Sequence, residues 1–171
     1  MVYHQHILRL ARSLLEILVL ALGRRIEDLS ALTADPVTKL KLLHYPPHTS
    51  KDVRQFGAGA HRDFGLLTIL LQQPGKDGLQ VFHPPTKEWL SVPAVEDVFV
   101  VNIGDLIKKW TDGQFASTLH RVINAVDGDR YSVPCFYEGD PTATNPFRED
   151  EGDGETVEMH IRRKLDMSYG M

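Results

Sequence analysis

The sequence predicts a mainly β domain, a sandwich or closed barrel with helices at both ends. Three features predict it. Seven short apolar or alternating stretches follow one another between residues 39 and 137, separated by turn-forming Gly, Pro and Asp in "PGKDG", "HPPTK" and "VDGD". The first 22 residues instead repeat their apolar positions at three- and four-residue steps, and the last segment reads as a charged helix.

The amino-terminal helix is expected over Val2–Leu22, with Ile7, Leu8, Ala11, Leu14, Leu15, Leu18 and Leu22 on its apolar side and Gly23 ending it. A second, short helix is expected from Ile26 to Leu32, stopped by Asp35-Pro36. The strand candidates are "KLKLLHY" (39–45), "LLTILLQ" (66–72), "LQVF" (79–82), "EWLSV" (88–92), "DVFVVNI" (97–103), "HRVINA" (120–125) and "RYSVPCFY" (130–137). A one-to-two-turn helix fits Leu106–Trp110. "REDEGDGE" reads as a solvated acidic loop, and "TVEMHIRRKLDM" as a helix with acids at its start and Arg162, Arg163 and Lys164 near its end, as the helix dipole favours. The expected organisation is a helical lead-in over 1–37, a β domain over 38–148, and an acidic loop with a terminal helix over 149–171.

Composition narrows the function classes. The chain has 171 residues, 42% hydrophobic and 25% charged, which suits one globular domain with its own core. A net charge of -4 argues against a nucleic-acid partner, because phosphate binding needs a basic excess. Cys135 is the single cysteine and forms no internal disulfide, which suits a reducing, cytoplasmic location. The apolar run Leu14–Leu22 is too short to span a bilayer and is interrupted by Glu16, so no membrane partner is expected. Arg9 and Arg12 before that run make a signal peptide the rival reading, and Glu16 counts against it too.

The chemistry centres on "HRDFG" (61–65). In an extended segment His61 and Asp63, two apart, project to one face and can reach one ion. Two ligands do not make a catalytic site. Of the other histidines, His120 opens an alternating stretch in the distal half of the β region, where a strand could lie beside that of His61. His83 falls in a turn, and His4 and His6 fall on the first helix. Two histidines and a carboxylate on one side of an ion form the facial triad of non-haem iron(II) oxygenases. A zinc hydrolase built on the same three ligands stays open on ligand chemistry alone.

"LLHYPPHT", "GAHRDFGLLTILLQ", "GLQVFHPPTKEWLSVP", "FVVNIGDLIKKWTDGQFASTLHRVIN" and "RYSVPCFYEGDP", in that order, resemble the iron(II)- and 2-oxoglutarate-dependent dioxygenases of the isopenicillin N synthase-like group. The resemblance covers roughly residues 1–148 and extends to the final helix. It implies a double-stranded β-helix, or jelly roll, with Fe(II) held by His61, Asp63 and His120. It also implies that Arg130 and Ser132, the R-x-S motif, hold the distal carboxylate of 2-oxoglutarate, and that Tyr45 before Pro46-Pro47 donates its phenol to the same co-substrate. A guanidinium fork beside a hydroxyl suits a carboxylate. An asparagine often stands two positions before that tyrosine in the family; here it is Leu43. Phe64, Leu66 and Phe136 are candidates to line a pocket for a small organic substrate, although core packing is the favoured role for each.

The activity implied is hydroxylation, desaturation or ring closure of a small organic molecule with O2 as co-substrate, of the kind found in secondary metabolism. Members of the group usually carry a substantial amino-terminal region ahead of the part that matches here. The resemblance therefore also admits a catalytically inactive remnant that only binds, and an iron oxidase of the same family that does not use 2-oxoglutarate.

Overall fold

The computed structural model of the chain describes residues 2–47, 56–123, 128–148 and 154–170. Among the described residues, nine strands form two antiparallel sheets facing one another. The larger sheet has the order β1 (Val37–Leu40), β9 (Arg130–Gly139), β4 (Leu67–Gln72), β7 (Phe99–Ile103), with β2 (Leu43–Tyr45) also pairing with β9. The smaller sheet has the order β3 (Phe56–His61), β8 (His120–Ile123), β5 (Leu79–His83), β6 (Glu88–Ser91). This is the jelly roll that the resemblance implies. The acidic stretch 149–153 and the expected strand end at Asn124 and Ala125 lie outside the described residues.

Alternation along the strands divides the larger sheet into two faces. On β4, Leu67 and Ile69 point outward into the main core, while Thr68, Leu70 and Gln72 point toward the smaller sheet. On β9, Cys135 and Tyr137 join the core, and Arg130, Ser132, Pro134 and Phe136 face inward. The outer face is covered by α1 (Val2–Ala21), which buries Ile7, Ala11, Leu15 and Val19 at four-residue steps. Gly23 ends it with φ +67°: its N–H reaches Leu20 O at 2.9 Å and the Arg24 N–H reaches Val19 O at 3.1 Å. With α1 and the loops filling the outside, the inner face is left free for polar groups.

Three expectations are corrected. The second helix is one 3-10 turn, Ile26–Leu29, after which the chain turns irregularly into Asp35-Pro36. The run 39–45 is two strands, because Pro134 lies opposite the break. The Lys41 N–H reaches Pro134 O at 3.0 Å, but the proline has no N–H to return, so the ladder stops and resumes at Leu43. The terminal helix α3 (Val157–Tyr169) runs past the basic residues, so Arg162, Arg163 and Lys164 lie mid-helix and do not serve the dipole. They make ion pairs instead. Arg162 meets Glu158 at 2.8 Å, Arg163 meets Glu155 at 3.0 Å, and Lys164 meets Asp105 at 2.5 Å.

His160 and Glu155 anchor α3. His160 is buried with its Nδ1 3.1 Å from Glu155 Oε2, and Lys109 meets the same oxygen at 2.8 Å. Burial alone would raise the Glu155 carboxyl, but hydrogen bonds from Lys109, Arg163 and His160 outweigh it and hold it at about 2. Burial pulls His160 below its ordinary 6.5, against the opposing pull of Glu155. Both folded values lie below the unfolded ones, so both groups stabilise the folded state fully only at neutral pH. The His160 contribution declines as pH falls below 6.5, and the Glu155 contribution declines from 4.5 through about 2. Amide hydrogen exchange, corrected for intrinsic rates, should therefore show α3 losing protection between pH 7 and pH 5 (about two decades in proton activity) ahead of β4 and β9. Equal loss in all three elements would refute this.

Candidate metal centre

The smaller sheet makes the first contribution. His61 closes β3 and His120 opens β8, and the two are Cα partners across the ladder. Their ring centroids stand 4.3 Å apart. Asp63 lies just beyond β3, where the chain turns toward β4. Its Oδ1 is 3.8 Å from His61 Nε2 and 3.8 Å from His120 Nε2, and one ligand atom from each residue lies within 4.8 Å of the others. Two metal–ligand bonds laid end to end reach about 4.2 Å, so one ion can bridge Asp63 to each histidine at 3.8 Å.

Hydrogen bonds decide which atoms face the ion. His61 Nδ1 is 2.7 Å from Gly59 O, and His120 Nδ1 is 3.0 Å from Thr118 O. A carbonyl only accepts, so each Nδ1 carries the proton and each Nε2 presents its lone pair. Asp63 Oδ2 accepts from Thr68 Oγ1 at 2.6 Å and from Asn102 Nδ2 at 2.8 Å, leaving Oδ1 as the free oxygen. Such partners fix ligand orientation. The centre is open on one side: the His61 side chain is 46% exposed, against 13% for His120 and 7% for Asp63.

Two glycines position Asp63. The Gly104 N–H donates to Leu66 O at 2.8 Å and the Asp105 N–H to Asp63 O at 2.8 Å. A Cβ on Gly104 would collide with the carbonyl of Gly65. Gly104→Ala should therefore destabilise the fold by overpacking, on the order of 1–3 kcal/mol, read as a lower urea midpoint at unchanged slope. An unchanged midpoint would mean that this turn yields freely.

A cavity of ≈ 190 Å³ runs inward from the centre between the two sheets. Tyr45 and Arg130 are Cα partners across β2 and β9, and both line it together with Ser132. Arg130 is 1% exposed. Its Nη2 donates to Gln72 Oε1 at 3.0 Å and its Nε to Lys76 O at 3.2 Å, and its Cζ lies 4.9 Å from the Tyr45 ring centre. Its Nη1 is buried and has no hydrogen-bond partner among the described residues. Burial lowers the guanidinium from its ordinary value, opposed by Tyr45 and Asp77. A buried cation with Nη1 unpartnered, beside a serine and a tyrosine, is chemically suited to receive an anion. Gly78, at φ +152°, makes room for it: a Cβ there would lie 3.3 Å from Arg130 Nε and 2.6 Å from Ile123 O.

The other named residues divide. Phe136 lines this cavity and an adjoining one of ≈ 310 Å³ that also touches His61, Asp63 and Phe64. Leu66 is fully buried in the core cluster under α1 and lines neither. His83 pairs with Thr86 at the β5–β6 turn and His4 with Thr38, both away from the centre. Cys135 is buried, and burial pushes its thiol up, which suits packing rather than ligation. The sequence reading missed Thr68, Gln72 and Asn102. Their signal was present: each is a polar residue inside an otherwise apolar strand.

Comparison with known proteins agrees with this geometry. Residues 36–139 match the 2OG-Fe(II) oxygenase superfamily. The 2-oxoglutarate-dependent dioxygenase caaD of Aspergillus niger is 48% identical over 169 residues, covering 99% of this chain and 52% of the relative. The 2-oxoglutarate-dependent dioxygenase traH of Penicillium crustosum is 46% identical over 171 residues, covering 100% of this chain and 52% of the relative. The chain thus spans about half the length of the curated relatives it matches. Among solved structures, the dioxygenase for auxin oxidation in rice superposes with a TM-score of 0.79 at 24% identity, over 99% of this chain and 58% of that one, a likeness of fold. A jelly roll carrying a His-Asp-His cluster above a buried arginine, matched along residues 36–139, makes this chain a member of the 2OG-Fe(II) oxygenase superfamily.

Proposed function

We propose that the chain binds Fe(II) through His61 Nε2, Asp63 Oδ1 and His120 Nε2, binds 2-oxoglutarate through Arg130, Ser132 and Tyr45, and oxidises a small organic molecule. The observation that carries this reading is the unspent Arg130 donor in the same cavity as the three converging ligand atoms. Iron and 2-oxoglutarate supply the oxidising chemistry, in which the keto acid is decarboxylated to succinate and carbon dioxide with O2 as oxidant.

The chain's residues do the rest. Thr68 and Asn102 hold Asp63 by Oδ2 and so keep Oδ1 aimed outward. Arg130 meets the distal carboxylate with Nη1, so the keto acid end points back toward the histidines. Leu70, Leu79, Val81, Val100 and Val122 wall the cavity and exclude water from between them. The organic substrate enters beside His61, where the centre is open, with Phe64 and Phe136 on its approach, and secondary metabolism is the setting we infer for it. We read 38–148 as the catalytic jelly roll, 1–37 as the helical lead-in that covers its outer face, and 149–171 as the closing segment. No described helix is long and apolar enough to cross a membrane, and a cytoplasmic location is part of this proposal.

The test is succinate release. Iron-loaded protein with 2-oxoglutarate and O2 should form succinate above a metal-free control even without the organic substrate, through slow uncoupled turnover. Iron binding with no succinate, and no absorption change on adding 2-oxoglutarate, would favour a binding remnant or a 2-oxoglutarate-independent oxidase.

A further inference from the structure

Arg62 stands between two ligands in the chain but points away from them. Its Nη1 donates to the carbonyl oxygen of Ser117. The next carbonyl, Thr118 O, accepts the His120 Nδ1 proton. Residues 116–119 belong to no helix or strand, so no ladder sets the position of these carbonyls. The Phe82 N–H, at 2.8 Å from Leu119 O, fixes only the end nearest β8. Asp105 gathers the same parts from the other side. Its N–H donates to Asp63 O at 2.8 Å, and its carboxylate meets Lys164 of α3 at 2.5 Å.

We propose that Arg62, with Asp105 and Lys164, is a positioning strap that locks the third ligand, His120, to the turn carrying the other two, and that the docked terminal helix holds it taut. The inference rests on the metal-site reading above. Without the guanidinium, the Ser117–Thr118 carbonyls are free to rotate, and His120 loses both its tautomer and its aim. Without Lys164, Asp105 loses its closest counter-charge and its hold on α3. Arg62 is a spacer in the H-x-D motif and touches no ion, so its effect is transmitted through backbone carbonyls.

Cobalt(II) titration of the full chain tests this, using visible ligand-field absorption and a competing chelator. Arg62→Met should weaken cobalt binding about 10- to 100-fold, the usual loss when a partner that orients a ligand is removed. It should also change the ligand-field band, because His120 is misaimed. Arg62→Lys keeps one donor and should recover part of both effects. Lys164→Met, which leaves the H-x-D turn untouched, should move the band in the same direction as Arg62→Met. Urea unfolding of the metal-free variants separates this from a general loss of stability, which would lower the midpoint without altering the band of the bound fraction. Wild-type affinity and an unchanged band in Arg62→Met overturn the proposal. Should Arg62→Met fail to fold, the same result in Arg62→Lys and Lys164→Met together overturns it. A wild-type chain that binds no cobalt, by contrast, sinks the metal-site reading itself.

Discussion

Asp63→Ala is expected to abolish Fe(II) binding and to lower stability, whereas His61→Ala should abolish binding with little change in stability. The difference follows from burial. Asp63 is 8% exposed and takes hydrogen bonds from Thr68 and Asn102 on one oxygen. Alanine removes the anionic ligand and leaves both donors without their acceptor, at about 1–3 kcal/mol for each buried group left unsatisfied. His61 is nearly half exposed, and its Nδ1 bond runs to Gly59 O, which water can replace. Exposed substitutions of this kind usually stay within about 0.5 kcal/mol. Anaerobic equilibrium dialysis and urea denaturation of both variants provide the check. Retained iron affinity in both would remove these residues from the site, and equal stability would remove the argument about Asp63 Oδ2.

The second large effect is at Arg130. Arg130→Met should raise the 2-oxoglutarate dissociation constant at least about tenfold and leave iron affinity nearly unchanged. Removing one partner of a buried charge pair costs on the order of 3–5 kcal/mol, and about 1.4 kcal/mol already corresponds to tenfold in affinity. The smaller figure allows for water entering beside Ser132 and Tyr45. Met is chosen because it fills much of the volume of a side chain that is 1% exposed; a smaller residue would add a cavity to the measurement. The readout is anaerobic titration of iron-loaded protein, following the absorption that keto acid chelation produces. A wild-type chain that holds iron and shows no such band at millimolar 2-oxoglutarate would end the dioxygenase reading.

The residue pattern made the outline of this fold legible, and the reasons are local. Four-residue spacing from Ile7 to Val19 needs only one helix to express it, and Gly23 stops it by backbone geometry alone. The alternating stretches named the larger sheet's strands within a few residues. What was illegible depends on partners distant in sequence. The break at Lys41 comes from Pro134, more than ninety residues away, and "FGAGAH" shows too little apolar patterning to announce β3. At the site, His61 and Asp63 announced themselves by spacing. Thr68 and Asn102 are visible as polar residues inside apolar runs, but their role is not, because their partner is a carboxylate brought to them by the fold. The basic residues of α3 were misread for the same reason: their anions, Glu155 and Asp105, lie outside the helix.

The pairing of His61 with His120 has a consequence for how the smaller sheet holds together. Within the described residues β3 is an edge strand, and its ladder to β8 is interrupted twice, between Phe56 and Ala58 and between Ala58 and His61. An ion held by both histidines would sit where that ladder ends and would rivet an irregular edge to its neighbour. Occupancy then adds to the cohesion of β3 by mass action, in proportion to the logarithm of free metal over its dissociation constant. A filled site would then make β3 harder to open to a protease, quite apart from any reaction the chain performs.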